Sequence, residues 1–139
     1  MPFDHILVAV DGSEGSLRAL RTAIELAGLT SSRLTALAVE GPLPAYAATV
    51  EVEEVKREKD VFFRKVATRA REEAETAGVE ISVDVRPGHA AELIVRYARD
   101  HGADLVVVGH KGHFLEDYLL GSTADRVAHH AHCPVLIVK

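Results

Sequence analysis

The sequence predicts an α/β fold in which a five-stranded parallel sheet is covered by helices on both faces. Five short apolar runs alternate with segments whose apolar residues recur every three or four positions, as on one face of a helix. Four of the runs are almost continuously apolar, which is typical of strands buried on both faces. Strict alternation of strands and helices further predicts right-handed crossovers between parallel strands.

The predicted strands are the apolar runs themselves. The third run alternates apolar and polar residues, which is typical of a strand with one face toward water. We therefore expect the third strand at an edge of the sheet. In chain order, the five predicted strands are Ile6–Val10, Leu34–Val39, Val79–Val85, Leu105–Val108 and Val135–Val138.

A helix is predicted between each pair of successive strands. The first spans Ser13 to Leu29, and the second runs from Val52 through a heavily charged stretch until Gly78 ends it. An irregular loop is expected at residues 41–44, Gly-Pro-Leu-Pro, after the second strand. Apolar stripes predict the last two helices at Ala90, Leu93, Ile94, Tyr97 and Ala98, and at Ala124, Val127, Ala128 and Ala131.

Length and composition restrict the class of protein. A chain of 139 residues suits one domain, expected to span residues 1–139, and its core is aliphatic because only 5% of the residues are aromatic. The net charge of −5 disfavours non-specific nucleic-acid binding. No apolar run approaches the roughly 20 residues of a membrane span. The single cysteine, Cys133, and the lack of a signal-peptide pattern favour a reducing, cytoplasmic location.

The first place to look for a ligand is beyond the carboxyl ends of the strands, where open parallel sheets bind their ligands. The first strand leads directly into Asp11-Gly12-Ser13 at the start of a helix. One interpretation is a turn followed by a serine helix cap. The other is a carboxylate placed to contact a ligand, and the residues alone leave both open.

The fourth strand leads into a second candidate, Gly109-His110-Lys111-Gly112, which is followed by Gly121-Ser122-Thr123 at a predicted helix start. Glycines allow a close backbone approach, and the free N–H groups of a helix N-terminus attract phosphate. The pattern matches neither the Walker A motif nor the G-x-G-x-x-G dinucleotide fingerprint. A phosphate site and a purely structural glycine loop with a hydroxyl cap are both consistent with the spacing.

Taken together, four segments of the chain resemble the universal stress protein family. They occur in the family's order and extend over the whole chain, which makes the resemblance specific. The segments are VAVDGS at residues 8–13, ADLVVVGHKG at 103–112, LGSTA at 120–124 and HHAHCPVLIV at 129–138.

The resemblance implies the strand order 3-2-1-4-5, homodimerisation through the last strand, and in one branch of the family the binding of an adenine nucleotide, here ATP. Mg²⁺ or Mn²⁺ could accompany the nucleotide, and Asp11 could then help to hold the ion. Ala9 and Asp11 would then lie near the ribose and phosphates, and Val39 would contact adenine. The remaining implied binding residues are Val108 and Gly109 on the sugar side, with Gly112, Gly121, Ser122 and Thr123 at the phosphates. Lys111 lies between the first two glycines of this pattern, where it either offers a positive charge to the phosphates or is a solvated lysine.

One departure from the family pattern bears on function. Eight residues separate Gly112 from Gly121, whereas the nucleotide-binding pattern of the family has nine. Either the exposed loop absorbs the deletion or the Gly121 amide is misplaced. The first hypothesis is accordingly a homodimeric, ATP-binding regulator of the stress response; the alternatives are an interaction module of the same fold that binds no nucleotide, and a weak ATP hydrolase.

Other candidate groups point less clearly to a function. His129, His130, His132 and Cys133 are dense in metal-ligating atoms, but neighbours on a helix do not face each other, so we predict no metal site there. No nucleophile has a recognisable base and orienting partner, and we predict no catalytic residue. Pairing with a second copy is the simplest cover for the apolar edge strand formed by Val135, Leu136, Ile137 and Val138.

Overall fold

The computed structural model describes residues 3–41, 52–110 and 120–139, and the strands and helices alternate along them as predicted. All strand pairs are parallel, in the order β3-β2-β1-β4-β5, which confirms the predicted fold class and the order implied by the family resemblance. The elements are β1 His5–Val10, α1 Glu14–Thr30, β2 Arg33–Glu40, α2 Val52–Thr76, β3 Ser82–Pro87, α3 Ala90–Asp100, β4 Leu105–Gly109, α4 Ser122–His130 and β5 Val135–Val138.

β1 lies at the centre of the sheet, and helices cover the sheet on both sides. Ile6, Leu7 and Val8 of β1 have no solvent-exposed surface. Because successive side chains of a strand point to opposite faces, Ile6 and Val8 pack with α1 and α2, whereas Leu7 packs with α3 and α4. This two-sided burial explains the continuously apolar strands in the sequence.

β3 occupies an edge of the sheet, as its alternating sequence predicts, but its boundaries differ from the prediction. The predicted strand Val79–Val85 begins too early, since pairing with β2 starts at Ser82 and continues to Pro87. The N–H of Val79 donates instead to Ala74 O in α2, at 2.9 Å. Val79 and Ile81 still pack against the core, which produces the apolar alternation without strand pairing.

The end of β4 approaches the backbone of α1 closely. A Cβ atom added to Gly109 would lie 2.9 Å from both the carbonyl carbon and the oxygen of Gly15 in the first turn of α1. Carbon atoms in contact prefer separations near 3.5 to 4.0 Å. Glycine is therefore required at position 109 by packing between a strand and a helix.

A buried polar cluster lies at the opposite end of the sheet. His5 is only 5% exposed; its Nδ1 lies 3.2 Å from His101 O and its Nε2 2.8 Å from Thr35 Oγ1. Since a carbonyl oxygen only accepts, Nδ1 donates to His101 and Nε2 accepts from the Thr35 hydroxyl. Burial lowers the pKa of His5. The hydrogen bond to His101 O raises this pKa, and the positive charge of Arg33 lowers it.

The loop expected at residues 41–44 lies outside the described residues beyond Gly41. No helix in the described ranges is both long enough and apolar enough to cross a membrane.

Gly109→Ala is expected to lower the free energy of unfolding by about 1–3 kcal/mol, because the added methyl group overlaps the backbone of α1. Urea denaturation would measure the change. Gly28→Ala, in the helix α1, is the matched control: its Cβ would sit at an ordinary 3.4 Å from Val79 Cγ2, so the same methyl should raise stability by about 0.5–1 kcal/mol. Equal effects at the two positions would contradict the close-approach argument.

Acid should destabilise the fold through His5. The unfolded chain protonates His5 near the ordinary value of 6.5, whereas burial lowers the pKa of His5 in the folded state. Stability is therefore full above about pH 6.5 and falls as the pH drops below it, because the unfolded state then binds the proton more readily. Urea midpoints at about pH 7.5 and 5.5 should differ less in His5→Gln than in the unmodified protein. His132→Gln, at an exposed histidine, serves as control. An unchanged pH dependence in His5→Gln would show that His5 does not cause the loss of stability in acid.

Candidate functional site

A cleft of about 310 Å³ opens at the carboxyl ends of β1, β2 and β4. The first turns of α3 and α4 close its sides. This is the position at which open parallel sheets bind ligands, and the volume lies at the lower end of the range for small-molecule pockets. The residues that line the cleft are Ala9, Val10, Asp11, Ser13, Ser16, Leu37, Val39, Ala90, Ile94, Val108, Gly109, Gly121, Ser122, Thr123 and Ala124.

The turn after β1 places the Asp11 carboxylate at the cleft. Asp11 Oδ1 accepts from the N–H of Ser13 at 2.8 Å, and Gly12 has the positive φ of 85° that the turn requires. Ser13 caps α1 by accepting from the N–H of Ser16 at 3.2 Å. The interpretation as a turn followed by a serine cap is therefore confirmed. The turn also holds the exposed Asp11 side chain at the cleft, because one carboxylate oxygen is bonded to the N–H of Ser13.

The beginning of α4 supplies a set of N–H donors to the cleft. Gly121 is its N-cap and offers no capping side chain. The first N–H bonded within the helix is that of Asp125, to Gly121 O at 2.9 Å, so the amides of Ser122, Thr123 and Ala124 precede the helical hydrogen bonds. Such donors, together with the helix dipole, favour an anion at this end of the cleft.

The Gly121 amide has a different role. Its N–H donates to His110 O at 2.9 Å, and the N–H of His110 donates to Val138 O at 2.7 Å. These two bonds anchor the start of α4 to the end of β4 and to β5. A phosphate would thus have the next three amides as donors, rather than that of Gly121.

The other side of the cleft is apolar. Leu37 is fully buried, and Ile94 and Val108 are almost so, while Val39 and Ala9 are half-buried and leave part of their surface open to the cleft. Among the described lining residues Asp11 alone is ionisable. The arrangement is therefore one apolar wall, one carboxylate and one cluster of backbone donors.

Most residues predicted to bind the ligand come together at this cleft. Lys111 and Gly112 lie outside the described residues. Those that line the cleft are Ala9, Asp11, Val39, Val108, Gly109, Gly121, Ser122 and Thr123.

The cleft also contains residues that the sequence reasoning did not identify. Ala90 and Ile94 of α3 were predicted as part of an apolar stripe, and the stripe indeed packs into the core. Both residues also face the cleft, because α3 crosses over the sheet with its first turn at the carboxyl ends of the strands. The available signal was the small side chain of Ala90, three residues after the end of β3, which leaves room for a ligand.

Other chemistry is not assembled in the described part of the cleft. The hydroxyl of Ser16 donates to Ser13 O at 3.1 Å, so it serves the helix cap, and no histidine or cysteine lines the described walls. Within residues 3–41, 52–110 and 120–139, no three His, Cys, Asp or Glu side chains converge as metal ligands. His129 instead contacts its own helix through Asp125 O at 2.9 Å.

Comparisons with known proteins identify relatives along almost the full chain. A universal stress protein of Methanocaldococcus jannaschii is 35% identical, covering 99% of this chain and 82% of the relative. Among solved structures, a universal stress protein in complex with cAMP has 27% identity and a TM-score of 0.80, covering 100% of this chain and 99% of that one. A universal stress protein from Archaeoglobus fulgidus in complex with dAMP has 25% identity and a TM-score of 0.72, with complete coverage of both chains.

The family itself is established by a direct match. The model of the universal stress protein family matches residues 2–139. This span includes all four segments that carry the resemblance in the sequence, as well as every strand of the sheet. The chain therefore belongs to the universal stress protein family.

Proposed function

We propose that this chain binds an adenine nucleotide in the cleft and acts as a homodimeric, nucleotide-dependent regulator of the stress response. The observation that carries the proposal is the pairing, across one cleft, of an apolar wall with the amides of Ser122, Thr123 and Ala124, which precede the hydrogen bonds of α4. A nucleotide has a flat apolar base at one end and phosphate at the other, which matches this division. Two relatives of the same fold bind cAMP and dAMP, which supports the adenine base.

In this proposal the base lies against Val39, and the phosphate lies at the first turn of α4. Asp11 then lies near the ribose and the phosphates, where its carboxylate acts as an acceptor only. With a net charge of −5 and no cationic side chain among the described lining residues, the binding free energy comes from local N–H donors and buried apolar area. The single cysteine fits a cytoplasmic setting, which is part of the proposal.

ATP is the specific ligand that we propose, with a divalent cation. Asp11 fits this role as a single ligand, because the N–H of Ser13 holds one of its oxygens and its exposed side chain lines the cleft. Mg²⁺ commonly binds one carboxylate together with phosphate oxygens and waters, and Mn²⁺ also suits oxygen ligands. Asp11 would then hold the cation on the nucleotide rather than bind it alone.

A second candidate function is an interaction module that does not bind nucleotide. It is favoured by the eight-residue spacing between Gly112 and Gly121 and by the hydrogen bond that engages the Gly121 amide with His110. Mass spectrometry of the denatured protein would detect a nucleotide carried through purification. Titration calorimetry with AMP, cAMP, and ATP with Mg²⁺ would then distinguish the candidates: dissociation constants all weaker than about 1 mM, or −4 kcal/mol, would select the module. Formation of ADP during the ATP titration would indicate hydrolysis.

Thr123→Asp is expected to weaken nucleotide binding at least about tenfold, because it places a carboxylate beside the phosphate. The fold should survive, since an acidic residue in the first turn of a helix interacts favourably with the helix dipole. Thr123→Asn is the matched control, because asparagine has almost the same shape as aspartate but no charge. This variant should bind the nucleotide within about threefold of the unmodified protein. Equal titration curves for the two variants would place the phosphate elsewhere.

The two edges of the sheet support the proposed homodimer. β3 has an edge protected by the Asp84–Arg86 ion pair and by Pro87, which has no N–H to offer. β5 pairs with β4 on one side and has no strand on its other side among the described residues. Its sequence is entirely apolar, and Leu136 is 36% exposed. We propose that a second copy covers this strand.

Light scattering of the unmodified protein should give a mass near twice the 15.0 kDa of one chain. Leu136→Lys should give the monomer mass, because it places a charge in the proposed interface. Leu29→Lys, which changes a leucine that is 75% exposed on α1, is the control and should leave the dimer intact. A monomer mass for the unmodified protein would exclude pairing through β5.

A further inference from the structure

A groove with basic walls lies between α3 and α4, on the outer side of the pair. It has a volume of about 220 Å³ and an apolar floor formed by Ala91 and Val95. We call it the basic groove. Its walls carry Arg96 and Arg99 from α3, and Arg126 and His130 from α4.

The positive charge of this groove is poorly neutralised. Glu92 is the acidic residue in its lining, and it lies 3.9 Å from Arg126, with both side chains more than half exposed. An exposed pair at that distance contributes little binding energy and is readily exchanged for another partner. Arg96 and Arg99 form no ion pair with any other residue that the structure describes.

The helical positions of these residues explain why they converge. Arg96 and Arg99 are three positions apart, and Arg126 and His130 are four apart, so each pair lies on one face of its helix. α3 and α4 pack against each other and bring the two faces to opposite walls of one groove. Like charges gathered in this way repel each other, and an anionic partner would relieve that repulsion.

We propose that the basic groove is a docking surface for an acidic peptide segment of a partner protein, with acidic side chains along the walls and an apolar side chain on the Ala91–Val95 floor. The charge pattern favours a short segment over a nucleic acid. A few carboxylates interact mainly with charges within a Debye length of about 8–10 Å, where the arginines dominate. A long polyanion also meets the rest of a chain whose net charge is −5.

The groove is separate from the nucleotide cleft but shares both of its helices. Ala90 and Ile94 of α3 line the cleft, whereas Ala91 and Val95 lie in the groove. In α4 the first turn faces the cleft and the later residues face the groove. The docking proposal therefore does not depend on nucleotide binding, and each can fail alone.

The test uses fluorescence anisotropy of a labelled peptide of about 12 residues, with glutamates and leucines at helical spacing. Binding to the unmodified protein should weaken as NaCl is raised. The double variant Arg96→Gln/Arg99→Gln should bind about tenfold more weakly. The control variant Arg57→Gln/Arg71→Gln removes the same charge from exposed positions on α2, and it should change the affinity by less than about twofold. Thermal melts of both variants verify that they are folded.

Three results would overturn the proposal. The first is no peptide binding to the unmodified protein at millimolar concentration. The second is an equal loss of affinity in the two double variants, which would indicate a response to net charge alone. The third is tighter binding of a single-stranded oligonucleotide than of the acidic peptide, which would identify the groove as a nucleic-acid surface. A peptide with glutamine in place of every glutamate should not bind.

Discussion

The close approach of Gly109 to the backbone of Gly15 is the constraint on which the candidate site depends. β4 and α1 are far apart in sequence, and with glycine at position 109 the first turn of α1 comes close enough to touch the end of the strand. That turn is continuous with the Asp11 turn through the Ser13 cap, so the packing contact also fixes where the carboxylate lies. On the other side of the cleft, the hydrogen bond from Gly121 to His110 holds the start of α4. Backbone contacts thus define the cleft, so large side chains are not needed to hold it open.

Much of the fold was predictable because two-sided burial leaves a clear pattern in a sequence. Continuous apolar strands and a single alternating strand were enough to predict a covered parallel sheet and one of its edges, and β5 was predicted with its observed limits. The boundary of β3 was wrong because core packing and strand pairing do not have to begin at the same residue: Val79 and Ile81 are apolar for the core, while the backbone of Val79 bonds to α2. The apolar periodicity of a sequence reports which side chains pack in the core, and it carries no information on where strand pairing begins.

The site was predictable in part, for a related reason. Residues just after strand ends and at a helix start follow from the topology, so Asp11, Gly109 and Gly121-Ser122-Thr123 were candidates from the sequence, whereas the family resemblance supplied Ala9, Val39 and Val108. Ile94 was missed because a residue that packs in the core with one side and lines a cleft with another has the same hydrophobic signature as a residue wholly in the core. Gly109 shows the converse: it was predicted as an approach point for a ligand, and it also has a structural cause in the contact with α1 that spacing does not reveal.

The distribution of charge over the molecule separates two kinds of recognition. The cleft has a single carboxylate among its described lining residues, and in the proposed function it would bind its ligand through amide donors, whose direction is set by the backbone. Such donors select an anion by geometry and change little with ionic strength when they are shielded from water. The basic groove relies on long, exposed arginines, which attract acidic groups without fixing their position. α4 has nine residues and contributes its first turn to the cleft and its last turns to the groove. One short helix therefore contributes side chains or amides to both the cleft and the groove, through different turns.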